Sequence, residues 1–418
     1  MTTEDLYNRS LHRLAIATTV ATFPLIFMGG LVTSHGAGMS VPDWPNTYGY
    51  NMFLFPPRLW RGGIFYEHVH RLMGTVVGLL SILLTYWAWR SEDRRWVRWL
   101  CTGVLAAVIL QGVLGGLRVL MVELDLAIVH ACFAQAFFCL SAMTAVVTSR
   151  WWLNAPDLSR SADAGAGRRL TIACTVAVVA LFAQLVVGAT MRHYEAGLAV
   201  PDLPLAYGQI IPATDAASLE GLNRTRVWKM RLPAVTRGQI WLHMGHRIGA
   251  IMVTAALTTA VALAVRRDRA AGRGRLLAAF VATVAALTFT GASHALGSKR
   301  SVLQGVAMLC LAIMFAVAAR VLLKRARTDA RLAGAAVVAA ALLAAQVALG
   351  VLTVIYRKPA DVASAHVAVG ALTLAVTFVL AVRSARLFAN RSPVPPKRAS
   401  EDVENPGRPA AAPGLVVA

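Results

Sequence analysis

Gly38-Met39-Ser40-Val41-Pro42-Asp43-Trp44-Pro45, followed by Tyr48-Gly49, returns 159 residues later as Gly197-Leu198-Ala199-Val200-Pro201-Asp202-Leu203-Pro204, followed by Tyr207-Gly208. Each copy follows an apolar run and precedes a His-Arg pair, His70-Arg71 in the first case and His246-Arg247 in the second. The echo continues outward: Gly29 matches Gly188, Gln111 with Gly115 matches Gln346 with Gly350, and His130 matches His366. The chain is therefore one unit written twice.

The apolar runs fix the class of that unit. Of 418 residues 57% are hydrophobic and only 15% charged, against roughly a quarter charged in a soluble domain. This excludes a soluble globular protein, a disordered chain and a secreted disulfide scaffold. A spanning helix needs about 20 apolar residues. The runs at 14–34, 68–89, 98–120, 126–148, 170–191, 240–265, 275–296, 301–323, 332–355 and 362–388 meet that length, which predicts about ten transmembrane helices. The net charge of +21 would point to nucleic acid in a soluble protein. Here no basic stretch is interleaved with exposed aromatics, so the charge reads as loop anchoring and no nucleic-acid partner is expected.

Basic residues cluster in every second loop: Arg90, Arg94, Arg95 and Arg98; Arg150, Arg160, Arg168 and Arg169; Arg266, Arg267, Arg269, Arg273 and Arg275; Lys324, Arg325, Arg327 and Arg331. These are expected to be cytoplasmic, with both termini. The two halves then enter from the same side, a parallel duplication about an axis along the membrane normal. His70 and His130 are 60 residues apart, whereas His246 and His366 are 120 apart. The excess is one helical hairpin, supplied by 275–323. The organisation read from these spacings is a cytoplasmic N-terminus at 1–13, a first four-helix half at 14–150, a cytoplasmic linker at 151–169, a second half at 170–390 carrying the inserted hairpin, and a Pro- and Ala-rich disordered tail at 391–418.

Of ten histidines, all but His12 fall in outer loops or near outer helix ends. His70, His130, His246 and His366 each lie one to two turns inside an apolar helix, where an ionisable group demands a partner. Two per half, at one depth, suit the two axial ligands of a haem iron. The plainer reading, a hydrogen bond to a neighbouring helix for each histidine, accounts for any one of them but not for four in a duplicated pattern. A zinc site at His243-x-x-His246 has ligand spacing but lacks a Cys or carboxylate to complete it. Arg71 and Arg247 could pair with a haem propionate or snorkel to headgroups.

Glu67 lies three residues before His70 on the same helical face. Its counterpart in the second half is His243, not a carboxylate. A carboxylate beside a haem edge can take protons during an oxidation; structurally it could instead favour the first turn of a helix. His68 and His243 are polar rim candidates, His294 in the hairpin reads as packing, and His35 and His193 are loop residues. The two Pro-Asp-x-Pro segments are rigid turns and, placed before each histidine pair, read as lids, with Pro56-Pro57 and Pro212 extending them. The five cysteines, Cys101, Cys132, Cys139, Cys174 and Cys310, sit in apolar runs without a CxxC and read as packing residues.

These residues together resemble the haem A synthase family of bacterial and mitochondrial membranes. The likeness spans about 10–390 apart from the hairpin. It rests on Gly38-x-Ser40-x-Pro42-Asp43-Trp44-Pro45, Glu67-x-x-His70-Arg71, Gln111 with His130, Gly197-Leu198-Ala199-x-Pro201-Asp202, His246-Arg247 and Gln346 with His366. The resemblance implies two pseudo-symmetric four-helix bundles. It implies that His70 and His130 hold the substrate haem O beside Glu67, and that His246 and His366 ligate a haem b acting as electron relay. The implied reaction oxidises the C8 methyl of haem O to a formyl group in two hydroxylations, with oxygen from water, supplying haem A to terminal oxidases. Haem O synthase and an unidentified electron acceptor are the implied partners, and an oligomer is compatible with this picture. The chain departs from the family in two ways. Val41 and Thr47 stand near where many members carry an outer-loop cysteine pair, no outer-loop cysteine is present here, and the hairpin exceeds the eight-helix pattern.

Two other functions fit the same residues: a dihaem b-type electron-transfer protein, and a transporter built from parallel repeats. The outer-boundary placement of the polar groups, away from the midplane, counts against the transporter.

Overall fold

The structure is a computed structural model that describes residues 7–266 and 328–388. The expected hairpin at 275–323, with His294 and Cys310, and the tail at 391–418 lie outside the described residues.

Among the described residues, eight helices are long and apolar enough to cross a membrane: α1 (Arg9–Ser34), α2 (Gly63–Ser91), α3 (Arg95–Met121), α4 (Leu124–Val147), α5 (Ala164–His193), α6 (Arg237–Arg266), α7 (Thr328–Ile355) and α8 (Ala360–Phe388). Each coincides with an expected span, and most extend a few residues past it. The apolar run marks only the stretch in hydrocarbon, while polar end turns continue the helix into the headgroup zone. Local signals set several ends. The Asn8 side chain accepts from the Leu11 N–H at 2.9 Å and caps α1. Asp125 and Asp361 stand in the first turns of α4 and α8, where the helix dipole favours an acid.

Contacts close each half into a ring. In the first, α1 packs on α2, α2 on α3, α3 on α4 and α4 on α1; in the second, α5, α6, α7 and α8 do the same. The halves meet where α8 packs on α1 and α4, and α4 packs on α5. In its most apolar stretch α8 is 72% buried while α3 is only 17% buried, which makes α8 an interface helix and α3 a lipid-facing one. On α2 the exposed face carries Val76, Leu79, Leu83 and Tyr86. So continuous an apolar surface is stable in lipid and not in water. The protein is a multi-pass helical membrane protein, and the described residues contain no strand beyond two isolated bridges.

Those bridges sit in the repeated loops and show how alike they are. Thr47 pairs with Tyr50, and Ala206 with Gln209. Tyr48 and Tyr207 adopt φ of 51° and 55°, and Gly49 and Gly208 follow at 76° and 77°. In each loop the aspartate gathers both of these N–H groups: Asp43 from Tyr48 and Gly49 at 2.8 Å, Asp202 from Tyr207 at 2.8 Å and Gly208 at 2.9 Å. The second loop is longer. It adds a short helix, Ala216–Thr225, and a π-turn, Arg226–Met230.

Candidate functional site

Each of the four expected ligand histidines rests on a glycine of the preceding helix. A Cβ on Gly29 would lie 3.1 Å from Cε1 of His70, on Gly115 3.0 Å from that of His130, on Gly188 3.1 Å from that of His246, and on Gly350 3.1 Å from that of His366. The missing side chains let the Cε1 edge of each imidazole approach the neighbouring helix. The pattern is the same four times over.

In the second half the His246 and His366 ring centroids are 6.5 Å apart, at 69° between planes. Two imidazoles sharing one metal at about 2.0–2.1 Å per bond would have centroids roughly 6.3 Å apart. The His366 Nδ1 faces the Gln346 carbonyl at 3.1 Å. That contact fixes the ring, whose Nε2 lies 3.4 Å from the Gln346 side-chain nitrogen. In the first half the Nδ1 atoms of His70 and His130 are buried without a hydrogen-bond partner. The donor set is thus paired imidazole shielded by apolar helices, which fits haem iron. The zinc alternative at His243 and His246 finds no third ligand: no cluster of three His, Cys, Asp or Glu occurs among the described residues.

Glu67 is 4% exposed. One carboxylate oxygen accepts from Arg71 Nη2 at 2.8 Å, the other from the Val41 N–H at 3.0 Å. In the second half His243 occupies this place, its Nδ1 lying 3.3 Å from the Val200 N and 3.1 Å from the Ala196 carbonyl. The asymmetry expected from sequence is therefore spatial as well: an acid touches one lid and an imidazole the other.

Arg71 and Arg247 have a task that neither expectation covered. Arg71 donates to the Asp43, Asn46 and Val41 carbonyls at 2.7, 2.9 and 2.9 Å, in addition to Glu67. Arg247 donates to the equivalent Asp202, Leu205 and Val200 carbonyls at 2.7, 3.0 and 2.9 Å. Both guanidiniums clamp the lid loops onto the histidine helices, and most of their five donors are committed there. Asp43 shares this network. Burial pushes its carboxyl up, but the Gly49 and Tyr48 N–H groups and the Arg71 charge together outweigh it and hold the group below the usual range. Burial raises the Tyr207 phenol, with Arg226 only partly opposing it.

His68 is fully buried in the first lid, 3.3 Å from Thr47 Oγ1 and packed by Phe55 and Trp60. His35 stacks on Tyr66 at 4.1 Å. Two residues escaped the sequence reading. Gln184 holds His246 through contacts of 3.0 Å to Nδ1 and 2.8 Å to its carbonyl. Its counterpart in the first half is Leu25, so the repeat does not flag it. Arg226, 1% exposed, ties the second lid through the Leu198, Ala199 and Pro233 carbonyls and the Tyr207 hydroxyl; it lies in the stretch that the first half lacks.

A family profile described as cytochrome oxidase assembly protein matches residues 62–306. Curated relatives include the heme A synthase of Shouchella clausii, 28% identical over 223 residues that cover 52% of this chain and 71% of the relative. Those of Lysinibacillus sphaericus and Geobacillus kaustophilus are 26% and 25% identical over 258 and 265 residues, covering 59% and 62% of this chain and 72% and 74% of theirs.

Proposed function

This chain belongs to the cytochrome oxidase assembly protein family, and we propose that it is a haem A synthase, an oxidoreductase that converts haem O into haem A. One observation carries the reading: two matched histidine pairs on glycine seats, with a buried carboxylate beside one pair only. A carrier of electrons between two equivalent haems has no use for that difference. An enzyme that reacts at one haem and keeps the other does.

In this reading His70 and His130 hold haem O as substrate in the half at 14–150. His246 and His366 hold a haem b in the half at 170–390, which supplies a redox-active iron when bound. The C8 methyl of haem O is oxidised in two hydroxylations with water as oxygen source. Each releases two electrons and two protons, and the gem-diol loses water to give the formyl group. Glu67 is placed to take those protons one at a time at a carboxylate oxygen. Arg71 and the Val41 N–H orient that carboxylate, and the clamped lid keeps bulk water from the reacting edge. The electrons leave to an acceptor outside the chain, and haem O arrives from a haem O synthase. By the loop charges both termini are cytoplasmic and both sites lie near the outer face of a bacterial plasma membrane.

The test is co-expression with a haem O supply, then haem extraction and chromatography. Haem A appears if the reading holds. Protein that retains only haem b and leaves haem O unchanged is the dihaem electron carrier instead.

A further inference from the structure

One half-buried cation beside the first lid, Arg118, is not bonded to it. Arg118 stands in the last turn of α3, three residues beyond the Gly115 that seats His130, so both lie on one helical face. Its guanidinium covers Gly38 of the lid: a Cβ there would fall 1.8 Å from Nη2. Among the described residues this guanidinium has no hydrogen bond and no ion pair. Arg71, by contrast, is spent on the lid.

The second half arrives at the same arrangement from another position. Thr353 stands where the repeat aligns Arg118. Instead Lys358, in the turn after α7, lays its Cδ 3.3 Å from where a Cβ on Gly197 would be, and Gly197 is the counterpart of Gly38. Each half thus lays the side chain of a basic residue on the same lid glycine. A half-buried guanidinium with no partner is costly, and an incoming anion offsets that cost.

We propose that Arg118 is a substrate-positioning residue that receives a carboxylate of the porphyrin held by His70 and His130, with Lys358 its equivalent in the second half. The inference rests on reading the first half as the haem O site. Two axial histidines fix the iron but leave the macrocycle free to turn about the axis joining them. A porphyrin carries propionates at one edge only, so pairing that edge with a fixed guanidinium stops the rotation. It thereby decides which methyl group meets Glu67.

The test compares haem O with its propionate dimethyl ester by equilibrium titration of purified protein whose second-half haem is in place. Wild type should bind the ester about tenfold or more weakly, the size of a lost charge-assisted pair. Arg118→Gln should lose that preference and raise KM for haem O more than it lowers kcat, whereas Arg118→Lys should retain part of it. An unchanged second-half haem spectrum shows that the fold is intact. Gly38→Ala, which moves the guanidinium without removing it, should reduce the preference for the free acid and covers the case in which Arg118→Gln does not fold. A preference for the free acid that persists in Arg118→Gln and Gly38→Ala overturns the proposal. Failure to form haem A from haem O is a separate result: it overturns the enzyme reading, and the ester comparison can then be made with haem b and its dimethyl ester as probes.

Discussion

Glu67 and Arg71, one turn apart on α2, form a 2.8 Å ion pair whose side chains are only 5% and 10% exposed. Arg71 spends its other bonds on the lid, so the pair joins the carboxylate to the cover of its own site. A buried pair broken from one side is costly, about 3–5 kcal/mol, and its effects should differ by side. Glu67→Gln keeps the shape and an acceptor oxygen but loses basicity. General-base groups contribute about 10²–10⁴-fold, so haem A output should fall at least about tenfold with haem b retained. Arg71→Gln should also loosen the lid, seen as faster proteolysis between residues 35 and 62. Near-normal haem A output from Glu67→Gln would reduce Glu67 to a clamp residue.

With His246 and His366 only 6.5 Å apart, the haem b proposed for the second half would depend on both rings. Replacing either by Ala should abolish the low-spin bis-histidine spectrum, although a five-coordinate haem can stay bound. Since Gln184 holds His246 from behind, Gln184→Leu, which copies Leu25 of the first half, should shift the haem midpoint potential without removing the haem. A low-spin spectrum that survives loss of either histidine would refute the ligand assignment.

The glycine seats give a graded test of the same geometry. A Cβ at Gly115 or Gly350 meets imidazole Cε1 at 3.0 or 3.1 Å, a few tenths of an ångström too close. Ala there should displace the ring slightly and weaken haem retention. Val should expel the ring and the haem. Haem content of the purified Gly350→Ala and Gly350→Val variants, read against a neutral change such as Gly103→Ala, where nothing lies within 4 Å, measures this. Equal haem content in all three would show that the contact is unimportant.

The spans and the four histidines were legible because their signals are local: an apolar run of sufficient length, and a motif that occurs twice. The repeat also marks Gly29 with Gly188 and Gly115 with Gly350, although it does not show that they seat the histidines. What stayed hidden depends on where side chains end. Arg71 and Arg247 look like free cations in sequence, yet their partners are backbone carbonyls that no residue type reveals. Gln184, Arg118 and Arg226 have no like counterpart in the other half, so comparing the halves passes over them.

Lid closure here owes nothing to sulfur chemistry among the described residues. Cys101, Cys132, Cys139 and Cys174 are free thiols on spanning helices, and Thr47 spends its hydroxyl on His68. Reductant should leave haem A formation unchanged, and replacing these four thiols by Ala should cost stability through lost packing rather than abolish activity. Activity that vanishes on mild reduction would point to a thiol function that this arrangement lacks.

Asp43 instead sets the acid limit of the first lid. Its carboxylate binds the Tyr48 and Gly49 N–H groups at 2.8 Å, and its pKa is lowered in the folded protein. A group lowered on folding adds stability that is fully present above its unfolded pKa of about 3.9 and is lost as pH falls through the folded value. Hydrogen-exchange protection factors at Tyr48 and Gly49 should therefore stay level from neutral pH down to about pH 4 and drop only below it. Asp43→Asn, which keeps one acceptor oxygen and cannot ionise, should lower protection at neutral pH and flatten the acid drop. Wild-type protection that already declines near pH 5 would mean that the carboxyl is not held in its ionised form by these bonds, and that another group closes the lid.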